Sequence, residues 1–106
     1  MGVYVIAAYR PKRGKEQLLR DVLKDHLPIL RKERLVTDRP PYLMRAADGT
    51  LFEVFEWKSA AAIEAAHGNP AVQAMWGRFE EACTYESLVN LNESKDMFAN
   101  FEAVDL

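Results

Sequence analysis

The stretch LFEVFEWKSAAAIEAAHGNPAVQAMWGRF, residues 51–79, decides the fold, because it passes from a strand pattern to a helix pattern and then interrupts the helix. Residues 51–57 are mostly aromatic and aliphatic and are typical of a β-strand. Ser59 has the side chain of a helix N-cap, and the alanine-rich run after it predicts a helix that can lie close to a sheet. The run HGNP, residues 67–70, predicts the end of that helix at its glycine and the start of another at its proline.

Strands that are apolar on both faces are predicted on either side of the first helical region. VYVIAAYR, residues 3–10, has apolar residues at odd and at even positions, so both sides of the strand carry them. Residues 42–47 and 51–57 form a predicted hairpin around Asp48-Gly49, a pair that favours a two-residue turn. A strand that is apolar on both faces must be covered on both, which indicates a second layer on each side of the sheet.

The other elements follow from changes in the period of the apolar residues. Residues 18–30 carry a helical stripe, within which Pro28 predicts a bend or a restart of the helix. A similar stripe after the HGNP run continues to Cys83, which predicts a buried, unreactive thiol. SLVNL, residues 87–91, predicts a fourth strand, and residues 97–106 predict a C-terminal arm or an edge strand.

This order of elements, β-α-β-β-α-β followed by an arm, predicts one domain over residues 1–106. The predicted fold class is α+β: the ferredoxin-like split β-α-β arrangement, with a four-stranded antiparallel sheet and two helical regions on one face. Because the other face of the sheet is also apolar, we expect it to meet a second copy of the chain. The expected partner is therefore the protein itself, in a homodimer through the sheet face.

Composition excludes several classes of protein. Hydrophobic residues make up 49% of the 106 residues and charged residues 28%, which is typical of a globular domain rather than a disordered chain. No apolar run approaches the roughly 20 residues of a membrane span, so no membrane partner is expected. The sequence shows no secretory signal, and its single cysteine allows no internal disulfide. We therefore expect a cytoplasmic protein.

The net charge of −2 hides an uneven distribution along the chain. Residues 1–45 carry 11 Lys and Arg against 5 Asp and Glu, whereas the remainder carries 3 against 11. The basic residues alternate with acidic ones in KEQLLRDVLKDHLPILRKER, residues 15–34, as on a solvent-exposed helix face. We therefore expect no nucleic-acid partner.

Two stretches resemble the antibiotic biosynthesis monooxygenase family. EVFEWKSAAAIEAAHGNPAVQAMWGRF, residues 53–79, is similar to that family's strand, Ser-initiated Ala-rich helix, His and Pro-started aromatic helix. GKEQLLRDVLKDHLPILRKERLVTD, residues 14–38, looks like its first helix with a His-Leu-Pro step. The resemblance, which covers residues 3–92, implies a dimeric α+β barrel. Its members include oxygenases that oxidise polycyclic aromatic substrates without metal or flavin, quinol oxygenases, haem degraders and proteins without known activity.

The haem-degrading branch of the family fits this sequence badly. That branch uses an asparagine in its first strand, where this chain has Ala7 and Ala8. Its axial histidine would lie near Trp76, so that His67 comes about two helical turns too early. The resemblance therefore favours the oxygenases that need no cofactor, and we expect none.

Three residues are candidates for catalysis: His26, His67 and Glu53. His26 borders the apolar stripe of the first helix, where it is either a general base or a partly buried structural histidine. His67 ends a short helix, where it either caps the free carbonyls or acts in a cleft. Glu53 is either a catalytic carboxylate in a cavity or a charge at the rim, and alternation sends it and Glu56 to opposite faces of the sheet.

A ligand pocket is predicted between the helices and the sheet. The interruption at residues 67–70 separates a small-residue helix from one with bulky side chains, and such a change opens a wedge over a twisted sheet. The alternative is that the same aromatic residues fill the core. The predicted pocket residues are Tyr9, Phe55, Trp57, Met75, Trp76 and Phe79.

No metal site is expected, because two histidines without a placed third ligand make a poor one. Three functions remain open. The first is a cofactor-independent oxygenase that acts on a small aromatic, polyketide or quinol-type substrate. The second is a non-catalytic homodimer that binds a small apolar or aromatic molecule. The third is a purely structural or interaction subunit.

Overall fold

A computed structural model describes residues 2–106 and shows a sheet with helices packed on one of its faces. The strands are β1 (Val3–Pro11), β2 (Tyr42–Arg45), β3 (Leu51–Trp57), β4 (Cys83–Glu86) and β5 (Glu102–Ala103). The helices are α1 (Glu16–Lys32), α2 (Ala60–Ala66) and α3 (Pro70–Ala82), and two short 3-10 turns follow at Leu88–Asn90 and Asn92–Lys95. None of these helices is long and apolar enough to cross a membrane.

The five strands form one antiparallel sheet in the order β4-β1-β3-β2-β5. The first four positions reproduce the split β-α-β topology that the sequence predicted. The prediction of four strands is wrong, because the C-terminal residues add β5 to the free edge of β2. There Glu102 pairs with Arg45, and Ala103 pairs with Met44.

The predicted fourth strand at residues 87–91 is also wrong. The backbone becomes extended at Cys83, which is the C-cap of α3. The strand Cys83–Glu86 then pairs with Ala8–Pro11 of β1. Residues 88–90 instead form a 3-10 turn. The misplacement has a simple cause, since Cys83 continues the apolar spacing of α3 although it already belongs to the strand.

Two local predictions on turns and helices are corrected as well. The hairpin between β2 and β3 has three loop residues rather than two, closed by the bonds from Ala46 N to Thr50 O and from Gly49 N to Ala46 O. Gly49 has φ +92°, the left-handed conformation that such a loop requires. Of the two alternatives predicted at Pro28, the restart of α1 is wrong, because a single helix runs from Glu16 to Lys32.

The interruption between the second and third helices has the N-caps that the sequence predicted, but the C-cap of α2 is His67 rather than Gly68, which does not adopt the left-handed conformation of a capping glycine. Ser59 Oγ accepts a hydrogen bond from Ala62 N at 3.1 Å, which caps α2. Asn69 Oδ1 accepts from Ala71 N at 2.9 Å and caps α3, with Pro70 at its first position. Helix α2 therefore ends and α3 begins within a few residues, and each can take its own angle to the sheet.

The sheet has two faces that differ in what covers them. The helix face carries Val5, Ala7, Tyr9, Leu51, Glu53, Phe55 and Trp57, which pack under the three helices in the main core or next to it. The open face carries Tyr4, Ile6, Ala8, Phe52 and Val54 from the same two strands. Glu53 and Glu56 thus lie on opposite faces, as alternation predicted.

An arm, residues 87–101, runs from β4 at one edge of the sheet to β5 at the other. It covers part of the open face, where Leu91 is buried against Ala8 and Phe52. Phe101 lies edge-on to Phe52, with 4.3 Å between the ring centroids. The remaining part of the face stays exposed, and Ile6 keeps 47% of its surface accessible.

Candidate functional site

A buried hydrogen-bonded group lies at the centre of the helix face. His26 of α1 is 3% exposed, and its Nδ1 lies 2.7 Å from Oε1 of Glu53 on β3. The same Oε1 accepts a hydrogen bond at 3.1 Å from the hydroxyl of Tyr9 on β1. Two strands and one helix therefore supply one side chain each to a single polar cluster, which we call the Tyr9–Glu53–His26 triad.

The local sequence explains how this triad is assembled. His26 falls on the stripe of α1 that faces the sheet, among buried leucines and valines. Ala7 of β1 pairs with Glu53, and its small side chain leaves room for the carboxylate under the helix. Phe55 and Phe79 contact the imidazole edge-on, with ring centroids 5.1 and 5.0 Å away, so the ring has a fixed orientation.

The hydrogen bonds define which nitrogen of His26 is free. An ionised Glu53 can only accept, so Nδ1 carries the proton that it donates to Oε1. The other nitrogen, Nε2, makes no hydrogen bond to any residue in 2–106. It therefore has a lone pair that can accept a proton or a hydrogen bond from a bound molecule.

A cavity of about 320 Å³ opens against this triad, between the sheet and α3. His26 forms part of its inner wall. The other lining residues are Val5, Ala7, Tyr9, Phe55, Trp57, Trp76, Phe79, Glu80 and Tyr85. This volume is at the small end of ligand sites in proteins and suits a small flat aromatic molecule.

Most of the predicted pocket residues line this cavity. Tyr9, Phe55, Trp57, Trp76 and Phe79 do, as the sequence predicted. Met75 does not line it: the side chain is 1% exposed and belongs to the core between α3 and the sheet. The reason is helical geometry, since adjacent residues of α3 point in directions about 100° apart.

The two candidate histidines do not meet. His67 is exposed at the end of α2, where its Nδ1 donates to the carbonyl oxygen of Ile63 at 2.9 Å. This is the helix-capping arrangement that the sequence left open. Its ring touches the cavity wall only from outside, through an edge-on contact with Trp76 at 5.3 Å.

Burial keeps the hydroxyl groups of Tyr9 and Tyr85 protonated. Burial of Tyr9, followed by the negative charge of Glu53 and the hydrogen bond to it, raises the pKa of Tyr9 well above its ordinary value. Tyr9 thus stays a hydrogen-bond donor to Glu53 at all ordinary pH. Burial also raises the pKa of Tyr85 to about 12, with smaller contributions from Cys83 and Glu80.

Cys83 is not a nucleophile in this structure. It is 3% exposed, and its thiol donates to the carbonyl oxygen of Phe79 at 3.2 Å. Burial raises the pKa of Cys83 to about 11, although Lys12 acts in the opposite direction. The prediction of a buried thiol is confirmed, even though the residue starts a strand.

A larger depression, of about 520 Å³, lies at the β2–β3 loop and the arm. Its lining is largely charged and includes Arg45, Asp48, Glu93 and Glu102. Arg45 is already paired with Glu102 and Glu16, and no buried base faces this depression. The smaller cavity beside the triad is therefore the better candidate for an active site.

No group of three or more His, Cys, Asp or Glu side chains that could hold a metal ion occurs within residues 2–106. Four lining residues were absent from the sequence prediction: Val5, Ala7, Glu80 and Tyr85. Tyr85 pairs with Tyr9 across β4 and β1, so it points to the helix face. Placing the fourth strand at 83–86 would have identified it.

Comparisons with known proteins bear on the fold only. The sequence matches no protein-family model and no curated protein at a significant level. Among solved structures, that of Rv0793 from Mycobacterium tuberculosis is similar, with a TM-score of 0.63. The two chains are 24% identical, and the match covers 90% of this chain and 100% of that one. At this identity the likeness supports the α+β fold and carries no information about activity.

Proposed function

We propose that this protein is a cofactor-independent oxygenase that acts on a small flat aromatic substrate with an ionisable hydroxyl or an activated C–H group. The observation that carries the proposal is the 2.7 Å contact between His26 and Glu53 at the wall of an apolar cavity. A base oriented by a buried carboxylate, beside a space for a ligand, is the arrangement that proton abstraction needs.

The triad assigns a role to each of its members. His26 Nε2 would take the proton from the substrate, which leaves a resonance-stabilised anion in the cavity. Glu53 would hold Nδ1–H and stabilise the imidazolium that forms. Tyr9 donates to the same carboxylate oxygen and so acts as a positioning residue.

The anion would then supply the electrons for its own oxidation by dioxygen. Where the substrate carries a benzylic CH2 group conjugated to a phenol, the overall change is CH2 to C=O. One oxygen atom of O2 enters the product and the other leaves as water, so no further reductant is required. The aromatic walls would exclude bulk water and favour a flat conjugated anion.

The second candidate function is a non-catalytic protein that binds a small apolar ligand. The observation that favours it is that the hydroxyl of Tyr9 is already engaged with Glu53. Oxyanion stabilisation usually requires donors that point into the site. A binding protein needs only the apolar walls and one polar contact at His26.

Oxygen uptake separates the two functions. The purified protein would be tested with an anthrone-type and a quinol-type substrate, and with His26→Gln and His67→Gln variants. We expect His26→Gln to lower turnover by about 10²- to 10⁴-fold. We expect His67→Gln to keep most of the turnover, because His67 lies outside the cavity. Binding without oxygen uptake by the wild type would favour the second function.

The same proposal includes a second copy of the chain as partner. The exposed part of the open face presents Tyr4, Ile6 and Tyr42 side by side with Val54. Two such patches can pack on each other in an isologous dimer, whose other contacts would come from the arm. Light scattering after size exclusion tests this association. A monomer for the wild type would contradict it, and Ile6→Asp should abolish the dimer.

A further inference from the structure

The charge of the residue at the entrance of the cavity determines which charge on a ligand is favoured. Of its ten lining residues, Glu80 alone carries a formal charge when histidine is neutral, and no Lys or Arg lines it. Glu80 lies on the exposed side of α3, and its carboxylate makes no ion pair or hydrogen bond within residues 2–106. One unpaired negative charge therefore lies at the entrance to an otherwise aromatic space.

Two cations lie near this entrance, and only Arg78 of the two is paired with a carboxylate. Lys12 donates to the backbone carbonyl oxygen of Glu80 at 2.6 Å, and Arg78 pairs with Asp25 at 2.9 Å. Neither of them lines the cavity. The one charge on the wall that a ligand meets at the mouth is thus the carboxylate of Glu80, and the side chain of Tyr85 beside it adds a neutral phenol whose pKa is raised to about 12.

We infer that Glu80 is a specificity-determining residue, and that the site selects phenols whose far end is cationic or neutral over phenols whose far end carries a carboxylate. The inference rests on the proposed function, since it takes the hydroxyl to be bound at His26. A ligand that lies with its hydroxyl at the inner wall must leave its other end beside Glu80. A carboxylate there would meet a like charge, whereas an ammonium group would meet an opposite one.

Three phenols that differ only at the far end test this inference. They are tyramine, 4-ethylphenol and 3-(4-hydroxyphenyl)propionate, with cationic, neutral and anionic ends respectively. Dissociation constants would be measured by calorimetry at low salt. Because Glu80 is exposed, we expect tyramine to bind about two- to fivefold more tightly than 4-ethylphenol, and the anion more weakly by a similar factor.

Variants of two adjacent glutamates provide the control. Glu80→Gln should bring the three dissociation constants together, and Glu80→Lys should reverse their order. Glu81→Gln changes the net charge by the same amount one residue away, but Glu81 lies opposite Lys15 at 4.0 Å and does not line the cavity. That control should retain the wild-type order, and high salt should reduce the differences in the wild type.

The outcomes separate this inference from the proposed function. If none of the three phenols binds the wild type, the proposed function and the inference both fail. If 4-ethylphenol binds but the charged pair shows no preference, or Glu80→Gln keeps the wild-type order, the inference alone is overturned. A preference for the anionic phenol would overturn it as well.

Discussion

The two faces of the sheet are made by the same strands, yet they are completed by different means. On the helix face, the buried carboxylate of Glu53 accepts from two neighbours and lies under α1, so a charge is tolerated at 3% exposure. On the open face, Glu56 accepts from Thr37 at 2.8 Å and from Arg39 at 3.0 Å, and Arg39 is two-thirds exposed. Glu56 is buried too, at 8% exposure, but water can reach its partner Arg39, whereas the partners of Glu53 are themselves buried.

The difference shows which parts of the molecule tolerate change. Three helices close the helix face, and the cavity lies beside the triad beneath them. A single arm closes part of the open face, through Leu91 and Phe101 and through hydrogen bonds from Ala47 N to Glu93 Oε2 at 2.8 Å and from Asn90 Nδ2 to Glu86 Oε2 at 3.2 Å. Substitutions should therefore cost more stability on the helix face.

The largest effect is expected from Glu53→Ala. This change leaves His26 and Tyr9 buried without their acceptor and should lower the free energy of unfolding by about 3 kcal/mol. The matched change Glu56→Ala should cost about 1 kcal/mol, because water can solvate Thr37 and Arg39. Urea unfolding at pH 7 measures both. Equal losses of unfolding free energy would show that a carboxylate is no more important for stability on the helix face than on the open face.

Leu91→Ala tests the arm and should have the next largest effect. Leu91 is 3% exposed, and its truncation should cost about 2 kcal/mol, the low end for a buried leucine, because the arm can move to fill the space. Leu88→Ala in the same arm is the control. Leu88 is partly exposed, so we expect a loss of at most about 0.5 kcal/mol. A negligible effect of Leu91→Ala in urea unfolding would mean that the arm is dispensable for stability.

Tyr9→Phe removes one donor from the triad and should cost about 1.5 kcal/mol, because the lost hydrogen bond ends on a charged group. Tyr85→Phe changes the neighbouring phenol on β4, which makes no hydrogen bond within residues 2–106, and should stay within about 0.5 kcal/mol. Thermal unfolding at pH 7 compares the two variants. The same result for both would contradict the role given to Tyr9.

The stability of Tyr9→Phe should also depend on pH differently from that of the wild type. The pKa of Tyr9 is raised in the folded protein, so the stability that its neutral form provides is fully present below the ordinary value of 10.0. It is lost as the pH rises above 10.0 towards the folded value, because the unfolded chain releases this proton first. The wild type should therefore lose more stability between pH 9 and pH 11 than Tyr9→Phe does.

The smallest effect is expected at the hairpin loop. The amide of Thr50 donates to Asp48 Oδ1 at 2.9 Å, and this bond, with a further contribution from Arg10, lowers the pKa of Asp48 below 3.8. Its contribution is present above pH 3.8 and is lost as the pH falls through the lower folded value. Asp48→Asn keeps an acceptor but cannot titrate. The difference in stability between wild type and variant should shrink from pH 5 to pH 2.5.

Sequence patterns predicted the topology well because the periodic spacing of apolar residues and the helix caps are local features, which tertiary packing does not change. The apolar parity of β1 and β3, the cap at Ser59 and the restart at Pro70 are local features. They needed no knowledge of what lies opposite in space. The aromatic lining of the cavity was predicted on the same basis, from residues that share a face.

The errors occurred where the answer depends on distant pairing. The local sequence allows Cys83 either to continue α3 or to begin β4. Its pairing with Pro11 places it in β4. The hydrogen bonds of Tyr9 and His26 to one oxygen of Glu53 join residues 44 and 27 positions apart. The sequence could suggest His26 and Glu53 separately, but only the packing of α1 on the sheet joins them.

The position of β1 in the sheet has a consequence for synthesis on the ribosome. Of the five strands of this sheet it is the first to be made, yet its two neighbours are β3 and β4, so neither edge can pair until residues 51–57 have emerged. Until then a segment that is apolar on both faces has only α1 to shield it. Such a nascent chain presents a binding segment for chaperones and a site for aggregation, and its folding depends more on translation speed than that of a protein whose first strands form a hairpin.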